Sequence, residues 1–291
     1  MTRLFIDVKC SQVEFEYAMD SIEPIDPGTP QAAVLRFTSS TLLHMGHSEV
    51  YRGDLKKEGD GVAEEVVCKL VEGDGVLSLR SEAILYETTL KPLQGKDVPR
   101  FIGFYCGVSQ LSERPIACLL LEYCGNCLRG DFLDHPMEPK IKAMKILIRL
   151  HKLGVYHDDW SPHNVVVDDA GNVRVVDFGE ASMHTCEFKS RLKLYELAPP
   201  DVGAPCPEIY EAALNMEIYT PSVIDFMGFG FDVREIKGPE TLVDFASRHI
   251  TCRTRSDLYV EAVEVLNRYQ DHYEHRFKPV KAKAVEQVAT A

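Results

Sequence analysis

The stretch "HDDWSPHNVVVDDAGNVRVVDFGEA", residues 157–181, constrains the fold of this chain more than any other. The valine runs on either side of "DDAGN" are strong strand formers. The Gly and Asn between them suit a tight reversal, so the segment reads as a β-hairpin. Six acidic residues crowd into it. Carboxylates held together repel one another, and a bound cation is the first candidate for what offsets that repulsion. Asn164 and Asp177 are equidistant from a centre between Ala170 and Gly171. In that register they face each other at the open end with Cβ atoms ~5 Å apart, a pair of oxygen ligands suited to Mg2+. Asp159 enters the same end, five residues before Asn164. A carboxylate beside a metal–phosphate site there would accept the proton of an attacking hydroxyl. Asp168 and Asp169 sit at the far turn, in solvent. Any one of these aspartates alone reads as a turn or cap; three in this order around one hairpin point to a site.

What precedes the hairpin is rich in strands. "AAVLRFTSSTLL", "SEVYRGDLK" and "AEEVVCKLVE" form an antiparallel meander with "HMGH" at its first tip. Residues 77–94 carry apolar residues at helical spacing, with Ser78 or Ser81 as caps. "RFIGFYCGV" and "IACLLLEYC" are two further strands. "GNCLRGDFLDHP" at 125–136 marks the change of domain, and "PKIKAMKILIRLHKLGV" is an amphipathic helix. After residue 181 the pattern is mostly helical, in "PEIYEAALNMEIY", "GPETLVDFASRHI" and "DLYVEAVEVLNRYQDHYEH". The expected organisation is an extension and Pro-rich linker over 1–31, a small β-rich lobe over 32–124, a mainly helical lobe over 125–279 and a disordered tail over 280–291.

A net charge of −13 argues against nucleic acid as the main partner, because phosphate neutralisation needs a basic surface. The N-terminus lacks the features of a signal peptide, and no apolar run reaches the ~18–20 residues of a membrane span. The expectation is therefore a cytoplasmic or nuclear protein that meets neither membrane nor nucleic acid. Nine cysteines spread through apolar segments suit reduced thiols better than a disulfide framework. "CGNC" at 124–127 reads as a turn after a buried strand rather than half of a zinc site.

The spacing His157-x-Asp159-x-x-x-x-Asn164, followed by Asp177-Phe178-Gly179, resembles the catalytic and metal-binding loops of the protein kinase-like superfamily over roughly residues 35–180. The resemblance implies an α+β, bilobal kinase fold and an ATP-dependent phosphotransferase using Mg2+. It makes Asp159 the catalytic base, Asn164 and Asp177 the metal ligands, and Lys69 in "VVCKL" the lysine that holds the α- and β-phosphates. Glu82 would pair with Lys69, with Glu87 as the other candidate. The backbone around Glu122, Tyr123 and Cys124 would hydrogen-bond adenine, and Gly46 would lie in the phosphate loop. The layout, with "LQGKDVPRFIGFY" and "DFGEASMHTC", is similar to atypical kinase-like proteins of fungi. "DDWSPHN" is also similar to phosphotransferases of the aminoglycoside and choline kinase type.

Several residues depart from that pattern. Gly46 is the lone glycine in "LLHMGHSEVY", where the family uses several. Asp158 replaces the arginine that binds a phosphorylated activation loop in regulated kinases, so no phosphoswitch of that type is expected. Ser161 stands where a lysine assists the γ-phosphate, and no "APE" follows. A pseudokinase that binds partners and transfers nothing is the competing reading. The acceptor, protein Ser/Thr or small molecule, is left open.

Overall fold

The computed structural model describes residues 3–10, 13–21, 34–57, 59, 61–109, 112–189, 192–200 and 206–277. The expected Pro-rich linker, beyond Ser21, and the expected disordered tail lie outside the described residues. The protein is α+β. It divides into two compact units, Met1–Gly130 with Arg149–Thr185, and Asp131–Ile148 with Cys186–Ala291.

The first unit is built on a closed sheet of seven strands: β1 (Arg3–Cys10), β2 (Val13–Ser21), β3 (Val34–Met45), β4 (Glu49–Lys57) and β5 (Ala63–Glu72), then, after helix α1 (Gly75–Glu87), β6 (Phe101–Val108) and β7 (Pro115–Glu122). Their order around the barrel is β1-β2-β6-β7-β5-β4-β3. The meander β3–β4–β5 and the strands β6 and β7 were legible as strand-like runs, and β7 is a continuous apolar run buried at six successive positions. The first two strands were not expected: Arg3–Cys10 and Val13–Ser21, read as part of an extension, instead join the sheet. β1 runs parallel to β3 through Arg3↔Val34 to Asp7↔Thr38, and β2 meets β6 through Asp20↔Cys106 and Ser21↔Tyr105. Leu4 and Ile6 alternate inward and are fully buried beside Phe37, Tyr51, Val66 and Cys68. Each large side chain so buried contributes about 1.5–3 kcal/mol. Gly53 is required by close approach: a Cβ there would stand 2.3 Å from the Thr38 carbonyl oxygen and 2.7 Å from the Phe37 ring.

Helix α1 starts at Gly75 after Asp74, so Ser78 and Ser81 lie inside it and cap nothing. Ser81 Oγ donates back to the Leu77 carbonyl instead. The helix stops at Glu87 rather than running to residue 94, because Pro92 cannot continue the hydrogen-bond ladder and residues Lys91–Leu93 tighten into a 3-10 turn. Leu79, Glu82, Ala83 and Tyr86 form its buried stripe. Three short pairings complete this unit. They join β8 (Asn126–Cys127) with β10 (Val165–Val167), β10 with β11 (Val173–Val175), and β9 (Val155–Tyr156) with β12 (Ser182–Met183). Helix α2 (Met137–Lys152) leads into this region.

The second unit contains α3 (Pro207–Asn215), a hairpin of β13 (Val223–Phe226) and β14 (Phe229–Asp232), and helices α4 (Pro239–His249) and α5 (Arg255–Phe277). Helices α3, α4 and α5 match the expected ones, whereas the hairpin was missed within a region read as helical. Phe226, Leu242, Val243, Ala246, Leu258 and Ala262 form a core between β13, α4 and α5. The Tyr269 hydroxyl donates to the Pro221 carbonyl at 2.7 Å, tying α5 to the chain before the hairpin.

Candidate active site

Strand β5 turns Cys68 and Leu70 into the barrel and Lys69 to its other face. Lys69 Nζ donates to Glu82 Oε2 at 2.9 Å and to Asp177 Oδ1 at 2.7 Å. The lysine side chain is 13% exposed and that of Glu82 only 1%. Glu82 is thus a carboxylate on the buried stripe of α1, a position that acids rarely occupy unpaired. Its other oxygen, Oε1, accepts the amide of Phe178 at 3.1 Å, so one side chain fixes both the lysine and the residue after Asp177. Of the two glutamates considered for Lys69, Glu82 holds it.

Burial pushes the Glu82 carboxyl up, and Lys69 pulls it back only in part. For Lys69, burial disfavours the ammonium, but the charges of Glu82 and Asp177 outweigh it and raise the pKa. Burial works against the Asp177 carboxylate too, yet Lys69 and the Gly179 amide hold it below its ordinary value. Gly179 N donates to Asp177 Oδ1 at 3.3 Å. Phe178 is buried edge-on against Tyr86, with ring centroids 5.5 Å apart, and 5.0 Å from His157.

The hairpin exists, but its register is displaced by one residue. Val165 pairs with Val175 and Val167 with Val173, so the Asn164 carbonyl accepts the Val176 amide at 3.0 Å and Asp177 lies one position beyond. Asp168 causes the displacement. Its carboxylate accepts the amides of Ala170 and Asn172, and its own amide donates to the Asn172 carbonyl, which centres the turn on Ala170. Asp177 does not face Asn164 across a regular ladder. It adopts φ 63, an uncommon conformation for a residue other than glycine, one in which Asp is enriched.

Asn164 ends a 3-10 turn and is buried. Its Nδ2 donates to both the carbonyl and the carboxylate of Asp159, each at 2.8 Å, which leaves the Asn164 amide oxygen as an acceptor. With the half-exposed Asp177 carboxylate, at 46%, this makes two hard oxygen donors of the kind Mg2+ takes. His157 is fully buried with Nε2 3.1 Å from the Val176 carbonyl, joining the two loops. Asp158 is exposed at φ 65, and Asp159 is exposed as well.

At the end of β7, the Glu122 amide is already donated to the Arg100 carbonyl at 3.0 Å. Adenine could therefore use its carbonyl, or the backbone of Tyr123 and Cys124, but not that amide. Arg52 lies over the Tyr123 ring, 4.1 Å from its centroid, and is held there by Glu65. The Cys124 thiol donates to the Glu122 carbonyl, and Cys127 is exposed on β8, which follows directly on Gly125. Gly125 is required between β7 and β8: at φ 105, a Cβ would stand 2.2 Å from the Val167 carbonyl oxygen. Gly46 is at the exposed tip between β3 and β4, where its amide donates to the Ser48 carbonyl at 3.1 Å. A Cβ on it would come 2.8 Å from His44 Nε2.

The structure thus brings Lys69, Glu82 and Asp177 into one cluster and Asp159 with Asn164 into another. The two are joined through the Asn164–Val176 bond. The link from Glu82 to the Phe178 amide was not anticipated, although an acid on an apolar helical stripe was its signal. Also missed was the pair of buried Asp97 and half-buried Arg149, whose Nε donates to Asp97 Oδ2 at 2.6 Å.

No family model matches the chain. It is 28% identical over 184 residues to the serine/threonine-protein kinase grp of Drosophila melanogaster, a match covering 57% of this chain and 33% of that protein. It is 25% identical over 188 residues to the CBL-interacting serine/threonine-protein kinase 2 of Arabidopsis thaliana, covering 60% and 39%. With the serine/threonine/tyrosine-protein kinase HT1 of the same plant the identity is 24% over 218 residues, covering 66% and 52%. The chain thus matches about a third to a half of the length of these relatives.

Proposed function

We propose that this chain is a bilobal, protein kinase-like phosphotransferase that moves the γ-phosphate of ATP to a hydroxyl. The observation that carries this reading is the placement of Lys69 between Glu82 and Asp177, at 2.9 and 2.7 Å. Lys69 would orient the α- and β-phosphates, with Glu82 keeping its ammonium in place. Asp159, held by Asn164, would position the acceptor hydroxyl and take its proton as the γ-phosphate leaves ADP. Asn164 and Asp177 would hold Mg2+, which when bound supplies neutralisation of the phosphate charge. Adenine would lie against the backbone of Glu122, Tyr123 and Cys124, with the tip at Gly46 over the phosphates. Alignment and preorganised charge would supply most of the rate.

The relatives are protein kinases, which favours a Ser/Thr hydroxyl on a protein over the small acceptors of the aminoglycoside and choline kinase type. The layout also fits the atypical kinase-like proteins of fungi. No helix among the described residues is long and apolar enough to cross a membrane. The glycine-poor tip favours a second reading, a pseudokinase acting as a binding module.

Thermal unfolding with Mg-ATP, with ATP plus EDTA, and without nucleotide tests the choice. Ligand at about 100 times its dissociation constant adds ~2.7 kcal/mol, a rise of about 2–4 °C for a chain of this size. A rise that depends on Mg2+ is expected. No rise at millimolar nucleotide would overturn the ATP-dependent reading in favour of the binding module.

A further inference from the structure

The stretch "QGKDVPR", 94–100, does none of the chemistry above, yet its bonds reach the end of α1, the end of β7, the last turn of α2 and β11. Gln94 Nε2 donates to the Tyr86 carbonyl at the end of α1, and its Oε1 accepts the Phe101 amide. The Arg100 carbonyl accepts the Glu122 amide, and the Glu122 carboxylate accepts the Arg100 amide at 3.1 Å. Arg174 of β11 donates to the Gly95 carbonyl at 3.2 Å.

Asp97 stands at the middle of this stretch, 2% exposed. Its carboxylate takes a two-pronged bond from Arg149, Nε to Oδ2 at 2.6 Å and Nη2 to Oδ1 at 2.7 Å, near the end of the helix that leads into His157 and Asp159. Its carbonyl accepts the Val175 amide at 2.9 Å, two residues before Asp177. One residue therefore grips the chain ahead of both acidic loops, by side chain in one case and by backbone in the other.

We propose that Asp97 is a positioning residue: its fork with Arg149 sets where its carbonyl meets Val175, and so fixes Asp177 and Asp159 relative to Lys69. The proposal rests on the phosphotransferase reading for its consequence in catalysis, but not for its geometry. A bidentate guanidinium–carboxylate pair fixes direction as well as distance, which a single bond would not. A misplacement of ~1 Å at a reacting centre can lower a rate by about 100-fold.

The test uses the full chain with Asp97→Asn and the double variant Asp97→Asn/Arg149→Met. Amide exchange is followed at Val175, with Val66 of β5 as the internal control, and basal Mg-ATP turnover is measured as kcat and KM. In Asp97→Asn, exchange at Val175 is expected to rise by about 10-fold or more with Val66 unchanged. The kcat per folded molecule should fall about 10- to 100-fold while KM for Mg-ATP stays within about threefold. The double variant removes the half-buried guanidinium left unpaired, so it should recover thermal stability in part but not kcat. Unchanged exchange at Val175, or recovery of wild-type kcat in the double variant, would overturn the proposal. A wild-type chain that neither binds nor turns over Mg-ATP would sink the phosphotransferase reading instead, and the exchange measurement would still decide the role of Asp97.

Discussion

Lys69 Nζ lies 2.7 Å from Asp177 Oδ1, although the chain separates the two residues by 108 positions. A lysine on a strand and an aspartate after a hairpin meet because Glu82 holds both ends of the arrangement, the ammonium through Oε2 and the Phe178 amide through Oε1. Charge and position are coupled at this point.

Replacing Lys69 with Met should therefore destabilise the fold as well as end nucleotide turnover. The change strands the buried Glu82 carboxylate, and breaking a buried pair from one side costs about 3–5 kcal/mol. The urea midpoint of Lys69→Met should drop accordingly, and that of Lys69→Met/Glu82→Gln should drop less. Equal loss in the single and double variants would show that the pair carries no coupling.

Asp159→Asn separates binding from transfer. The Asn164 Nδ2 bonds to the carbonyl and side-chain oxygen at position 159 survive in an amide of the same shape. The Mg-ATP thermal shift should remain while phosphoryl transfer is lost. Transfer at the wild-type rate would remove Asp159 from the chemistry.

Acid should reveal Asp177. Its folded-state pKa lies below the ordinary 3.8, so its contribution to stability is present above that value and lost as the pH falls through the lowered one. Glu82 has the opposite sign: its pKa is raised above 4.5, and protonation relieves its burial as the pH falls. The raised Lys69 pKa places that group's loss above pH 10.5. The difference in urea midpoint between wild type and Asp177→Asn should hold from neutral pH to about pH 5 and shrink in stronger acid. A difference that grows on acidification would contradict the sign.

Thiol labelling reads the burial directly. Cys127 and Cys252 are exposed, whereas burial pushes the Cys124 thiol up to about 12 and Cys118 well above its ordinary range. Brief alkylation of the native protein at neutral pH should mark Cys127 and Cys252 and leave Cys124 and Cys118 unmodified. After denaturation all nine cysteines should react. A native adduct on Cys124 would mean that the segment after β7 opens.

The hairpin at 165–175, the strand bearing Lys69 and the helix bearing Glu82 were legible because each depends on local periodicity and turn chemistry, which neighbouring residues determine. Alternation in "RLFIDVKC" likewise encodes a strand, but not its partner. Only the assembled barrel set β1 beside β3 and let β2 close on β6. Register was decided the same way: a symmetric count centred the hairpin between Ala170 and Gly171, while the side-chain bonds of Asp168 centred it on Ala170. The meeting of Asp97 with Arg149, 52 positions apart, leaves no periodic trace in the chain. The sequence by itself determined which residues carry charge and which segments can be strand or helix. The tertiary structure alone decided which charges meet, because those contacts form only once burial has brought distant segments together and water has been excluded from between them.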